Sequence, residues 1–127
     1  MKEKNIFGEP LITCSSNPVT GYFRNGCCDT DNTDIGMHTV CVIVNQDFLL
    51  FSKAVGNDLI TPVPQYGFKG LKDGDKWCLC ALRWKEALAN NVAPKVILEA
   101  TNEKSLDVIS IKDLIKYSHK KFKNQSE

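Results

Sequence analysis

The sequence predicts an α+β fold: a small single domain with about three helices, a short mixed or antiparallel sheet and long ordered loops. Three observations carry this expectation. A β-branched run at 39–44 reads as a buried strand. Three segments place apolar residues at helical spacing behind capping residues. Two long stretches hold too much Gly, Pro, Asn and Asp for regular structure.

Taken in order, residues 1–7 and 122–127 are expected to fray as termini. Residues 8–36 run through Ser15-Ser16-Asn17-Pro18 and Asp29-Thr30-Asp31-Asn32-Thr33-Asp34 and read as one irregular segment. Tyr22, Phe23, Cys27 and Cys28 make it apolar enough to pack down. Thr39-Val40-Cys41-Val42-Ile43-Val44 is the strand. Asn45 then caps a helix carrying Phe48, Leu49, Phe51 and Ser52, which Gly56-Asn57 ends. Pro62, Pro64, Gly67, Gly70 and Gly74 return 57–75 to loop. Asp75 reads as the N-cap of a helix through Trp77, Cys80, Ala81, Trp84 and Leu88, closed by Asn90-Asn91 and Pro94. Residues 95–101 and 106–109 read as two strands around a turn at 102–105. Ser110 and Asp113 form a capping box for a last helix that turns Leu114, Ile115 and Tyr117 to the core.

At 127 residues the chain, 1–127, has the length of one domain and can bury one core. Its 43% apolar and 24% charged content is ordinary for a globular protein. Sixteen Lys and Arg against fifteen Asp and Glu leave a net charge of +1, so no global field points to nucleic acid. The basic end, with Lys116, His119, Lys120, Lys121 and Lys123, reads as a solvated tail. No window reaches membrane-spanning length and the N-terminus has no signal-like apolar stretch, which places the protein in the cytoplasm. Thiols are kept reduced there, so the six cysteines are not expected to form a disulfide framework.

Those cysteines are the chain's most chemical residues. On a strand, Cys78 and Cys80 would share a face and suit one metal; on the expected helix they stand about 200° apart and pack as small hydrophobes. Cys27 and Cys28 lie in the turn-rich segment, where thiols are more easily exposed. Adjacent cysteines do not fit usual zinc spacing, yet Cys27, Cys28, His38, Cys41, Cys78 or Cys80 can meet in a site assembled by folding. His38 and Cys41 have opposite strand parity and converge only if the strand begins after His38. With a cysteine beside it, His38 is the best general-base candidate. Arg24, between Gly21 and Gly26, suits a carboxylate or phosphate, or an internal ion pair with Asp58. Asn57 and Asp58 end the first helix as turn formers or ligand contacts.

Several blocks together carry a resemblance. Pro18-Val19-Thr20-Gly21-Tyr22-Phe23-Arg24-Asn25-Gly26-Cys27-Cys28 is followed by His38-Thr39-Val40-Cys41, Gly56-Asn57-Asp58-Leu59 and Trp77-Cys78-Leu79-Cys80-Ala81. The order continues through Trp84 and Ala93-Pro94 to Leu98-Glu99-Ala100-Thr101. The whole resembles DUF2237, a family of uncharacterised bacterial proteins. The resemblance implies a small single-domain bacterial protein and supplies no reaction. Family members often carry His after the residue matching Thr101; Asn102 stands here, so a catalytic or metal role at that position does not carry over.

The residues support three functional expectations. The foremost is a binding module in which loops 8–36 and 57–75 form a pocket for a small molecule or protein partner, touched by Arg24, Asn57 and Asp58. The second is a thiol-dependent enzyme or redox protein using Cys27 or Cys28 with His38. The third is a zinc protein drawing on Cys27, Cys28, His38, Cys41 and Cys80.

Overall fold

The centre of the molecule is a strand whose residues are covered on both sides. In the computed structural model, which describes residues 3–120, β1 (His38–Ile43) lies between β2 (Lys76–Cys80) and β3 (Lys95–Val96) in an antiparallel sheet of order β2-β1-β3. Strand side chains alternate between faces, and β1 divides its residues accordingly. Val40 and Val42 enter the main core with Phe48, Trp84, Leu98 and Leu114. Cys41 enters a second, smaller cluster with Cys14, Cys28 and Cys78. The β-branched run thus satisfies two cores at once.

Helix α1 (Gln46–Ala54) forms as its cap requires: Asn45 Oδ1 accepts the Phe48 N–H at 2.8 Å, and Phe48, Leu49 and Ser52 face inward. Ser110 likewise caps α3 (Ile111–Lys116), accepting the Lys112 N–H at 3.2 Å while Leu114 is buried. The segments 8–36 and 57–75 are loops apart from a single 3₁₀ turn, Pro64–Tyr66, and isolated bridges.

Two expectations are corrected. The expected helix from Asp75 is a strand up to Cys80, and α2 (Ala81–Ala89) begins only afterwards. Asp75 instead closes a turn, its carboxylate accepting the Lys72 N–H at 2.9 Å. Tertiary pairing decides the matter. Trp77 and Leu79 pack into the main core while Cys78 joins the smaller cluster, an alternation of two that one helical face cannot deliver. Trp84, completely buried on α2, donates its indole N–H to Pro94 O at 3.1 Å.

The second correction lies at 95–109. Only Lys95 and Val96 pair as strand; Leu98–Ala100 and Glu103–Asp107 are 3₁₀ turns. Side chains there take over the backbone's partners. The Thr101 hydroxyl donates to Ile97 O at 2.8 Å and accepts the Cys41 N–H at 3.2 Å. Asn102 Oδ1 accepts the Lys104 N–H, while its Nδ2 donates to Glu3 Oε1 and Cys28 O. Asn102 is a clamp between three chain segments. Consequently residues 3–7 are not all loose: Asn5 and Ile6 are buried, and Ile6 N–H reaches Thr101 O at 3.1 Å. Residues 122–127 lie outside the described residues.

The cysteines provide the third correction. Cys14 is bonded to Cys41 and Cys28 to Cys78, and all four are buried. Cys41 and Cys78 are themselves opposed across β1 and β2, so each strand holds one end of a tether to the loop 8–36. Cys27 and Cys80 remain free. Thiol titration of protein purified without reductant should therefore find two groups, rising to six after denaturation and reduction; six from the start would overturn the pairing. Reduction should also lower unfolding stability by about 2–5 kcal/mol, read as a shift in the denaturant midpoint.

Candidate functional site

A short turn prepares one histidine with unusual completeness. Asp34 N–H bonds Asp31 O at 3.1 Å and Met37 N–H bonds Asp34 O at 3.0 Å, which folds the chain back on itself before β1. The fold places the fully buried Asp34 carboxylate against His38. Its Oδ1 lies 2.7 Å from His38 Nδ1, and Oδ2 accepts the His38 backbone N–H at 2.9 Å and the Thr30 hydroxyl at 3.0 Å. A carboxylate only accepts, so Nδ1 carries the proton and Nε2 is the open nitrogen. Gly36 lies flat against the imidazole: a Cβ there would sit 2.9 Å from His38 Cε1. On another side Tyr22 stacks on the ring, centroids 6.2 Å apart and planes 16° from parallel. The His38 side chain is nevertheless 41% exposed.

An irregularity in the sheet decides what this ring faces. The register steps between His38 and Val40, so the β1–β2 ladder passes from Val40↔Leu79 to His38↔Cys80. One extra residue on one strand reverses the facing parity of the residues beyond it. That step, not a late strand start, sets His38 opposite a cysteine, and the cysteine is Cys80. The free Cys80 is also the N-cap of α2, and its side chain takes none of the helix's N–H groups.

Both residues line a cavity of about 370 Å³ along the edge of β2 that no strand pairs, with the polar Arg24, Arg83 and Asn57 and the apolar Leu59 and Trp77 in its lining. This is the low end of the range for small-molecule sites. Arg24 holds a left-handed backbone, φ 57°, with its guanidinium 5.4 Å from the Trp77 ring centroid. The turn that presents it depends on Gly21, where a Cβ would collide with the Cys27 carbonyl. Arg83 Nη1 bonds Glu86 at 3.2 Å and Val55 O at 3.3 Å. Among the described residues no acidic side chain lines the cavity.

The other sequence candidates fall elsewhere. Asp58 forms no ion pair with Arg24; its carboxylate accepts the Ile60 and Thr61 N–H groups at 2.9 and 3.0 Å. The Thr61 hydroxyl, with those amides, holds its pKa down at about 2, as befits a turn former. Cys27 Sγ lies 3.8 Å from Thr13 Oγ1 and does not line the cavity. Cys28 and Cys41 are in disulfides, so neither offers a thiolate to a metal or a substrate. The zinc set Cys27, Cys28, His38, Cys41 and Cys80 is not brought together. The sulfurs of Cys14, Cys28 and Cys78 do lie within 4.8 Å of one another, because the two disulfides pack side by side. Metal ligation by these sulfurs would require breaking both bonds.

Sequence reasoning reaches His38 but misses Asp34, hidden in a polar run that reads only as turns. The signal present is the Asp34-x-x-x-His38 spacing across Gly36. Cys80 enters that reasoning only as a small hydrophobe on the expected helix or as a metal ligand.

Asp34→Ala removes the acceptor of three hydrogen bonds and should cost about 2–4 kcal/mol in denaturant unfolding. A loss below about 0.5 kcal/mol would mean the dyad is not formed.

A family model described as an uncharacterized protein conserved in bacteria, DUF2237, matches residues 4–118. A search of curated proteins returns no match.

Proposed function

The chain belongs to the DUF2237 family, and we propose that it binds a compact anionic molecule, one bearing a carboxylate or phosphate, in the cavity between Arg24 and Arg83. The observation that carries this reading is two guanidinium groups at one cavity that no carboxylate lines. Arginine matches carboxylate and phosphate through paired N–H donors, and Arg24 makes no ion pair among the described residues. Trp77 beneath Arg24 holds the guanidinium in place without neutralising it. Asn57 adds a neutral polar contact, while Leu59 and Trp77 receive the apolar part of the ligand.

The cavity draws its wall from segment 8–36, the 57–75 loop and β2, which supports a binding site built by long loops on a small scaffold. Neither a nucleic acid nor a membrane partner enters the proposal. The chain is nearly neutral, and no helix among the described residues is long and apolar enough to cross a membrane. The two disulfides favour an oxidising compartment over the cytoplasm expected from the sequence.

Calorimetric titration with succinate and with inorganic phosphate tests the reading. At least one should bind the wild-type chain, and Arg24→Gln and Arg83→Gln should each weaken it roughly tenfold or more, the value of one charge-assisted hydrogen bond. Absence of binding by both anions, or equal affinity in both variants, would sink it.

A further inference from the structure

We propose that Cys80 is a catalytic nucleophile, with His38 as its general base and Asp34 as the residue that positions His38, for transferring the acyl group of a small anionic ester or thioester to water. This rests on the anion-binding reading for its substrate class, but the nucleophile is argued from other observations.

Three features converge on this one thiol. Cys80 is free, partly exposed and directly opposite His38 in the sheet register, and both residues line the cavity. His38, which lines the cavity, has its Nδ1 fixed by a completely buried carboxylate, which leaves Nε2 as the acceptor. Cys80 also stands at the N-cap of a nine-residue helix. The first N–H groups of a helix have no partner within it; that of Ala81 is taken by Met37 O at 2.9 Å, but the cap side chain takes none of those that follow, so these are the donors for charge developing beside the sulfur. A nucleophile, a base, an orienting carboxylate and oxyanion donors are thus assembled at one cavity. No hydrogen bond joins Cys80 to His38 in this structure; such contacts commonly tighten only in the complex with substrate.

The chemistry balances with water as the only co-reactant. Cys80 Sγ gives its proton to His38 Nε2 and forms a bond to the carbonyl carbon, whose oxygen takes the electron pair. As the carbonyl reforms, the bond to the leaving oxygen or sulfur breaks and that atom takes the proton from Nε2. His38 then accepts a proton from water, the hydroxide adds to the acyl carbon, and the C–S bond breaks as the sulfur takes that proton back from Nε2, returning the thiol and the neutral imidazole. An ester and water become an acid and an alcohol. Arg24 and Arg83 hold the substrate's anionic group and take no part in bond making.

Cys27 supplies an internal control, being the other free and partly buried cysteine, away from the cavity. The decisive experiment is site-resolved alkylation of unreduced protein with iodoacetamide and iodoacetate, quantified by mass spectrometry. Cys80 should react at least tenfold faster than Cys27 with either reagent. His38→Gln should slow Cys80 at least tenfold and leave the Cys27 rate unchanged. Asp34→Asn should also slow Cys80 severalfold at a constant Cys27 rate, whereas a purely structural role for Asp34 would disturb both thiols. With 4-nitrophenyl acetate, an acetyl adduct should appear on Cys80 and be absent in His38→Gln. Equal rates at the two thiols, or a Cys80 rate indifferent to His38→Gln, would overturn the proposal. The arginines report separately. Iodoacetate should outpace iodoacetamide at Cys80 in the wild type and lose that advantage in Arg24→Gln/Arg83→Gln. If Cys80 is fast and His38-dependent without that preference, the nucleophile stands and the anion-binding reading falls.

Discussion

The molecule depends on the opposition of Cys41 and Cys78 across β1 and β2. Each of these buried half-cystines reaches out of the sheet to a cysteine in the segment 8–36, which has no regular structure of its own. That segment cannot hold its shape through backbone ladders. It is held instead by two covalent ties and by side chains such as Thr20, whose hydroxyl accepts the Cys78 N–H at 2.9 Å. Everything that the loop contributes to the cavity edge, from Tyr22 and Arg24 to the Asp34 turn, is positioned by these anchors. The sheet is therefore less a platform under the site than one half of a clasp.

Burying Asp34 illustrates how local energetics and site geometry are joined. A carboxylate removed from water is costly unless donors replace its hydration. Thr30, the His38 backbone and the His38 ring do so, and the last of these turns a structural requirement into an oriented imidazole. The Thr30 N–H is itself fixed by Glu3 Oε1 at 3.0 Å, and the same oxygen receives the Asn102 amide. The N-terminal segment thus supports the dyad through a chain of hydrogen bonds, although it lies far from it in sequence.

The sequence was legible wherever a local rule and the tertiary fold agreed. Asn45 and Ser110 cap their helices, the 39–44 run is strand as far as Ile43, and the Gly- and Pro-rich stretches are loops. It misled where a long-range partner overruled a local pattern. Trp77, Ala81, Trp84 and Leu88 do fit one helical face, but β1 needs a neighbour on that side, and pairing with it claims residues up to Cys80. The same error concealed the site. Arg24, Asn57 and His38 were recognisable from their residue types and their settings, whereas the opposition of His38 and Cys80 depends on a register step that no spacing encodes. Disulfide pairing was equally hidden, because six cysteines permit about fifteen connectivities when all pair and the chain's length gave no reason to expect any.

The order of the paired cysteines along the chain, 14, 28, 41, 78, makes the two bonded loops overlap, each enclosing one end of the other. Neither bond can be closed by a self-contained hairpin. Each free thiol also sits beside a correct partner, Cys27 next to Cys28 and Cys80 two residues beyond Cys78. During oxidative maturation the nearest competitor for each end of the Cys28–Cys78 bond is therefore a residue the mature protein leaves unpaired. In the folded chain the register of β2 against β1 buries Cys78 beside Cys28 and leaves Cys80 partly exposed, so the noncovalent pairing itself separates the sulfur that bonds from its near neighbour that does not.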